Sequence, residues 1–313
     1  MKSRNISIVT HCYQRTVDGF LIFYTVSDFV VFFTRFCILA SRYNIRVLKV
    51  CLMYDHIHIS VIAPDKETLS TFVGEYSRLF AHEYNVRWGL SGKLFCSPFG
   101  RADKREAKAI RTNLIYVDNN PVERQIVKKA EDYRWNFLAY AVSNHPFSEK
   151  VILSKASTHL RDSIKTVEAL HKRKVHLSYA TLSNLLGGLT KEECNQLVDR
   201  IISIYNVIDY EYSLRLFGSY DNMILALHST SGSEYDIKEV NEGKSDAFYP
   251  SMTNILLKEF NISDIHDVLT YSDEEKMYLV QQLYSRTTLG PVQIGKYLHL
   301  VLRPRKDSKK KFK

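Results

Sequence analysis

The chain has 313 residues, 45% apolar and 25% charged, long enough for two separate cores and too globular in composition for a disordered protein. Its net charge of +9, from 43 Lys and Arg against 34 Asp and Glu, points to a polyanionic partner, yet the last eleven residues, RPRKDSKKKFK, hold seven bases and one acid and carry most of it. Five widely spaced cysteines (Cys12, Cys37, Cys51, Cys96, Cys194) without a C-x-x-C argue against a disulfide framework and a zinc knuckle and suit a cytoplasmic setting.

In chain order, residues 6–11 read as a first strand. The most apolar stretch, GFLIFYTVSDFVVFFTRFCILA, is interrupted by Asp28 and Arg35 and lies too far in for a signal peptide, so it reads as a loop leading into a buried helix over 26–43. IRVLKVCLMY and HIHISVIA are β-rich runs separated only by Asp55, which predicts a tight antiparallel pair closed by Pro64-Asp65. Between 66 and 84, Leu69, Phe72, Val73, Tyr76, Leu79 and Phe80 recur at helical spacing. A GLSG turn then leads into a short strand, KLFCSPF, and a helix from 103 to about 119 stops at Pro121.

This order predicts an α+β domain over 1–142, a mostly antiparallel sheet flanked by helices. AVSNHPFSEK belongs to a linker over 143–158, residues 159–302 are mainly helical, and 303–313 form a basic, solvated tail. Within the helical part, EEKMYLVQQLYSRTTLGPVQIGKYLHL has the outline of a helix-turn-helix, with Ile294 and Leu298 inward, that would read a duplex or hairpin stem; ordinary helical domains share that outline. Tyr271, Tyr278 and Tyr284 there read as core or rim residues.

In MYDHIHISV, His56 and His58 are two apart on a strand and project from one face with roughly 6–7 Å between their Cα atoms, a span two imidazoles can bridge on one metal ion. The plainer reading is a polar pair on the wet face of an edge strand. Tyr116 and Asn120 are four apart and share a helix face if that helix extends to Asn120, so a phenol and an amide could meet one metal-bound phosphate. Alone, that pair means little in a chain with 20 tyrosines. Just upstream, GRADKREAKAIR carries Arg101, Lys104, Arg105, Lys108 and Arg111, either a solvated face or a grip on a nucleic-acid backbone. Phe95, Phe99 and Trp88 are candidate stacking platforms for single strands, with core packing the plainer reading for each.

VLKVCLMYDHIHISV and IYVDNNPVERQIVKKAEDYRWNFLAY together resemble the two signature blocks of the single-tyrosine HUH transposases, particularly the REP-associated branch. In that family a CLMPNHIHL-like strand supplies two metal-binding histidines and a YI-x-x-NP helix supplies the nucleophile, followed by a Y-x-W-S-S-Y-like segment. The connecting ETLSTFVGEYSRLFAHEYN and SGKLFCSPFG are similar too, so the resemblance covers roughly residues 1–140. It implies an HUH endonuclease-like fold with His56 and His58 as metal ligands, Asn120 as the third and Tyr116 as nucleophile. The implied cofactor is Mg²⁺ or Mn²⁺. The implied activity is nicking and strand transfer on single-stranded or hairpin DNA through a 5′-phosphotyrosine, in a cytoplasmic, nucleoid-associated protein, with a homodimer left open. Two departures stand out: Tyr54-Asp55 replaces the usual Pro-Asn, adding a negative charge near the ion, and Trp135 is followed by Asn-Phe instead of Ser-Ser.

The chemistry is coherent without the family. Two neutral imidazoles and an amide leave an ion's charge undiminished and leave room for phosphate oxygens, with Mn²⁺ better suited than Mg²⁺ to nitrogen donors. A phosphotyrosine stores the bond energy, so transfer needs no ATP, and the one GKS (243–245) lacks the first P-loop glycine because Lys238 stands there. A two-histidine phosphoesterase built from His58-Ile59-Ser60 and His228-Ser229-Thr230 would leave His56, Tyr116 and Asn120 idle. A noncatalytic DNA-binding regulator, or a domesticated relative, would share the DNA affinity and lack the covalent adduct.

Overall fold

The computed structural model describes residues 8–229 and 245–302; the basic tail and most of the GKS stretch lie outside them. The architecture is α+β. Strands β1 (Val9–Arg15), β2 (Arg46–Leu52), β3 (His56–Ile62) and β4 (Gly100–Lys104) form one antiparallel sheet in the order β2-β3-β1-β4. Pairing sets Tyr13 and Cys51 opposite His58, His11 and Lys49 opposite Ser60, and Arg15 opposite His56. Directly opposed residues share a face, so one face gathers these polar side chains while Ile57, Ile59, Val61, Val50 and Leu52 line the other. Strand β3 is buried on both faces except at its last residue, which is why its sequence does not read as a simple apolar-polar alternation.

The apolar face is covered by α1 (Val26–Arg42) and α2 (Lys66–Trp88). A Thr25–Asp28 capping box starts α1, and Asp65 caps α2 by accepting from the Thr68 amide at 2.7 Å. Edge-to-face rings of Phe32, Phe36, Phe72, Tyr76 and Phe80 fill the gap between the two helices. Arg35, which broke the apolar run in the sequence, is buried against Glu83 and His176.

The strand expected at KLFCSPF forms instead at Gly100–Lys104. Pro98 has no N–H for a ladder, and Phe95 makes only a single bridge to Thr16. Pairing begins where Gly100 meets Tyr13, whose ring lies 1.9 Å from the place a Cβ would occupy. The following helix, α3 (Ala107–Glu123), therefore starts four residues later than expected and runs through Pro121, two residues before its last.

The rest is helical among the described residues: α4 (Thr158–Lys172), α5 (Tyr179–Leu186), α6 (Lys191–Tyr205), α7 (Tyr210–Phe217), α8 (Tyr220–Ser229), α9 (Tyr249–Glu259), α10 (Asp273–Arg286) and α11 (Pro291–Tyr297). Buried residues of both halves belong to one continuous apolar cluster. Residues 143–157 are irregular and tied to α6, with the Phe147 amide and Ser148 hydroxyl donating to Asp199 at 2.9 Å each, and Thr158 already begins α4. Four residues of α11 (Gln293, Ile294, Gly295, Tyr297) are buried. No helix among the described residues is long and apolar enough to cross a membrane.

A buried imidazole joins the two halves. His266 donates from Nδ1 to Asp264 at 2.8 Å and from Nε2 to Asp28 at 3.1 Å, and lies flat on Trp88 with ring centroids 3.7 Å apart. Burial alone would lower its pKa, but Asp28 and then Asp264 outweigh that and raise it from 6.5 to about 9. A raised folded value contributes stability that is fully present below 6.5 and is lost as pH rises through about 9. Denaturant titrations from pH 6 to 10 should show a loss on the order of 3 kcal/mol across that window, and His266→Gln should flatten it. An unchanged slope in the variant would assign it to other groups.

Candidate metal and tyrosine site

The polar face of the sheet meets α3, and there the predicted residues converge. Because α3 continues past Asn120, Tyr116 and Asn120 do share a helix face one turn apart. Asn120 Oδ1 lies 3.2 Å from His56 Nε2. The Tyr116 ring, 3% exposed, stands edge-on to His58 at 5.5 Å between centroids and to His11 at 5.8 Å.

Helix α3 is held from several sides. Ser60 of β3 donates to Asn113 Oδ1 at 2.7 Å, and Lys49 of β2 pairs with Asp118 at 2.5 Å, both side chains 1% exposed. Asn136 donates to the Asp118 carbonyl at 3.2 Å, and Asn119 to the Leu227 carbonyl of α8 at 3.1 Å. The tyrosine is thus positioned by a clamped helix and not by a loop.

Each histidine has a defined second partner. His56 Nδ1 meets Asp55 Oδ1 at 2.5 Å, and His58 Nδ1 meets His11 Nε2 at 3.0 Å. Burial works against the charge on Asp55, but the His56 ring, by charge and hydrogen bond, with help from Arg124 and Lys296, holds its carboxyl below the usual range. Burial, then the neighbouring His56 and His11, pushes His58 well down, and burial followed by Lys104 takes His11 to about 4. Both rings are therefore neutral near pH 7.

The donor set fits a divalent ion. His58 Nε2 is a buried polar atom with no hydrogen-bond partner, a cost of roughly 1–3 kcal/mol that a bound cation or water would relieve, while the equally unpartnered Asn120 Nδ2 is a donor that would need an acceptor such as water or a phosphate oxygen. With Nδ1–H given to His11, the His58 Nε2 lone pair faces the site; with Nδ1–H given to Asp55, the same holds for His56 in the carboxylate-histidine-metal arrangement. Among the described residues no cluster of three His, Cys, Asp or Glu has metal-holding geometry, so the third donor would be the Asn120 amide.

No family model and no curated protein matches the chain. One solved structure does. It is described as a REP-associated tyrosine transposase bound to a REP hairpin, at 16% identity and a TM-score of 0.38, covering 44% of this chain and 80% of that one.

The five bases expected beside the tyrosine helix fall on β4 and the first turns of α3, with Arg101, Arg105 and Lys108 exposed and Lys104 and Arg111 half-buried. Strand β4 is the sheet edge, so this basic run is a rim beside the site and not part of its interior. Of the candidate stacking rings, Trp88 is taken by His266 and Phe95 is buried, while Phe99 is half-exposed. His228 bonds Glu131 at 3.0 Å, and Ser60 serves Asn113, so neither acts as half of a paired-histidine site; Thr230 lies outside the described residues.

Residues the sequence reading did not single out complete the site. His11, at the end of the expected first strand, orients His58, and only strand register brings it there. A cleft of about 450 Å³ opens on His56 and Asp55, lined by Arg15 and Arg124 from the sheet half and by Asp246 and Lys296 from the helical half. If His58 ligates an ion, replacing His11 with Ala should weaken Mn²⁺ binding by roughly 10- to 100-fold with the sheet intact, because the imidazole that would ligate loses its orienting partner. Calorimetric titration with Mn²⁺ checks this, and an unchanged affinity would make His11 a packing residue.

Proposed function

We propose that the protein is a metal-dependent enzyme of the single-tyrosine HUH transposase kind, which nicks and rejoins single-stranded or hairpin DNA through Tyr116. The observation that carries this reading is the meeting, within one chain, of a buried tyrosine and an amide on one face of α3 with the two histidines of β3.

In the proposed step the deprotonated Tyr116 oxygen bonds to the scissile phosphorus, the P–O3′ bond breaks, and the departing 3′ oxygen takes up a proton. The product is a 5′-phosphotyrosine and a free 3′-hydroxyl, and the reverse attack by a 3′-hydroxyl rejoins strands. A divalent ion held by His56, His58 and Asn120 would neutralise charge on the nonbridging oxygens and favour the phenolate. Asp55 and His11 keep the imidazoles in the ligating tautomers. A phenol with an ordinary pKa of about 10 is a weak nucleophile until it is deprotonated. Arg101, Lys104, Arg105, Lys108 and Arg111 would hold the DNA backbone along the β4 rim, a positioning role without sequence information.

The test is incubation of labelled hairpin-bearing single-stranded DNA with the full chain and Mn²⁺, resolved on a denaturing gel. A labelled band at protein mass, absent with EDTA and in His58→Ala, supports the enzyme. Binding without any label, across substrates and with both Mg²⁺ and Mn²⁺, would support the noncatalytic DNA-binding reading instead.

A further inference from the structure

A second hollow, of about 740 Å³, lies between α2 and the loop over 92–99. Its floor is apolar, with Val73, Leu94 and Phe95 buried. Its rim carries Arg78, His82 and Lys93, all exposed, and no acidic side chain lines it. The cleft on His56 differs in this respect: Asp18, Asp55 and Asp246 there offset Arg15, Arg124 and Lys296.

The hollow and the cleft share a wall. Cys96 lines both, and its amide donates to the Arg15 carbonyl at 2.8 Å and its Sγ to the Thr16 carbonyl at 3.3 Å. Arg15 in turn opposes His56 in the sheet. Phe99, half-exposed in the same hollow, directly precedes β4 and its basic run. A chain lying in the hollow therefore adjoins both the basic rim and the cleft on His56.

Cations without acids attract a polyphosphate, and an apolar floor with an accessible ring accepts bases; together they are the means by which single strands are held without sequence preference. The volume is that of a small-molecule pocket, which admits about two nucleotides in single file and not a duplex. The α2 wall is also left open. A Cβ at Gly74 would meet nothing within 4 Å, although glycine weakens a helix interior relative to alanine. Packing gives no reason for a glycine there, whereas an occupied hollow does.

We propose that this hollow is a binding site for the single-stranded DNA that flanks the cleavage point, with Arg78 and Lys93 on its phosphates and Phe99 under a base. The proposal deepens the reading of the protein as a DNA-nicking enzyme and rests on that reading for the identity of the polyanion. The hollow decides which single-stranded segment is presented to Tyr116.

The experiment is fluorescence anisotropy of the full chain with a labelled oligothymidine and with a blunt duplex of the same length, in EDTA so that no cleavage intervenes, with melting curves to confirm folding. Arg78→Gln combined with Lys93→Gln should weaken binding of the single strand about tenfold at low salt and flatten its salt dependence. Phe99→Ala should weaken it about fivefold. Gly74→Trp leaves every charge in place and fills the hollow, and should also weaken it about fivefold or more. If Gly74→Trp does not fold, Ser70→Trp, one turn earlier on α2, carries the same test. Duplex affinity should stay within about twofold throughout, because a duplex does not enter the hollow. Single-strand affinity within about twofold of wild type in any of these variants overturns the proposal. An equal loss for strand and duplex also overturns it, since the cations would then be part of a general surface field. Displacement of the strand by polyglutamate as readily as by unlabelled oligothymidine overturns it in favour of an acidic peptide. The expected losses in a protein that never forms a covalent adduct would keep the hollow as a DNA site and remove only the nicking. A wild type that binds neither DNA removes both.

Discussion

Tyr116→Phe is expected to abolish the covalent DNA adduct and to lower strand cleavage by a factor on the order of 10⁴ to 10⁶, the scale seen when a nucleophile is deleted. Only one oxygen leaves. The ring remains 3% exposed and edge-on to His58 and His11, so the melting temperature should stay within about 2 °C. On the proposed function, DNA affinity should change by less than about twofold, because the proposed phosphate contacts lie on the β4 rim and not at the Tyr116 hydroxyl. Gel time courses, fluorescence anisotropy and melting curves measure the three quantities. Persistence of the adduct would move the chemistry to another phenol, and Tyr13 is the one to replace next. It sits directly opposite His58 in the sheet, with its ring centroid 6.1 Å from that of His11.

Lys49→Met is expected to cost roughly 3–5 kcal/mol of stability, because it strands Asp118 in a site where both partners are 1% exposed. Burial already pushes the Asp118 carboxyl up, and Lys49 is what opposes that push. Removing the lysine therefore leaves a choice between an unpaired buried charge and a protonated acid. The double variant Lys49→Met with Asp118→Leu should recover most of the loss, since an apolar pair of similar volume avoids desolvating two ions. Denaturant unfolding of the single and double variants gives the coupling directly. Asp118 is two residues from Tyr116, so cleavage by the single variant should fall even below its unfolding midpoint. A stability loss under about 1 kcal/mol would mean that water reaches the pair.

Much of the first half was legible from residue patterns. The Phe- and Tyr-rich helix faces, the H-x-H run and the tight pair of strands on either side of Asp55 are local signals, set by side-chain period and turn chemistry. That His56 shares a face with His58, and Tyr116 with Asn120, was readable for the same reason: each pair is two or four residues apart, and such spacings fix a shared face whatever the rest of the chain does; that the two pairs belong together was implied only by the family resemblance. The proline after Asn120 suggested a stop one turn too early. Packing on the sheet carries α3 to Glu123, with the four-residue face intact.

What only the tertiary structure decided involves partners far apart in sequence. His11 meets His58 across 47 residues, Lys49 meets Asp118 across 69, and Asp246 reaches the cleft from the helical half. The displacement of β4 from KLFCSPF to Gly100–Lys104 depended on whether a backbone without a Cβ could lie against Tyr13. Periodicity reports which face a residue occupies and is blind to what that face meets, because register and docking are settled by summed burial over the whole core. The sequence by itself therefore determined the chemical types and their local spacing, and the fold determined which of them touch.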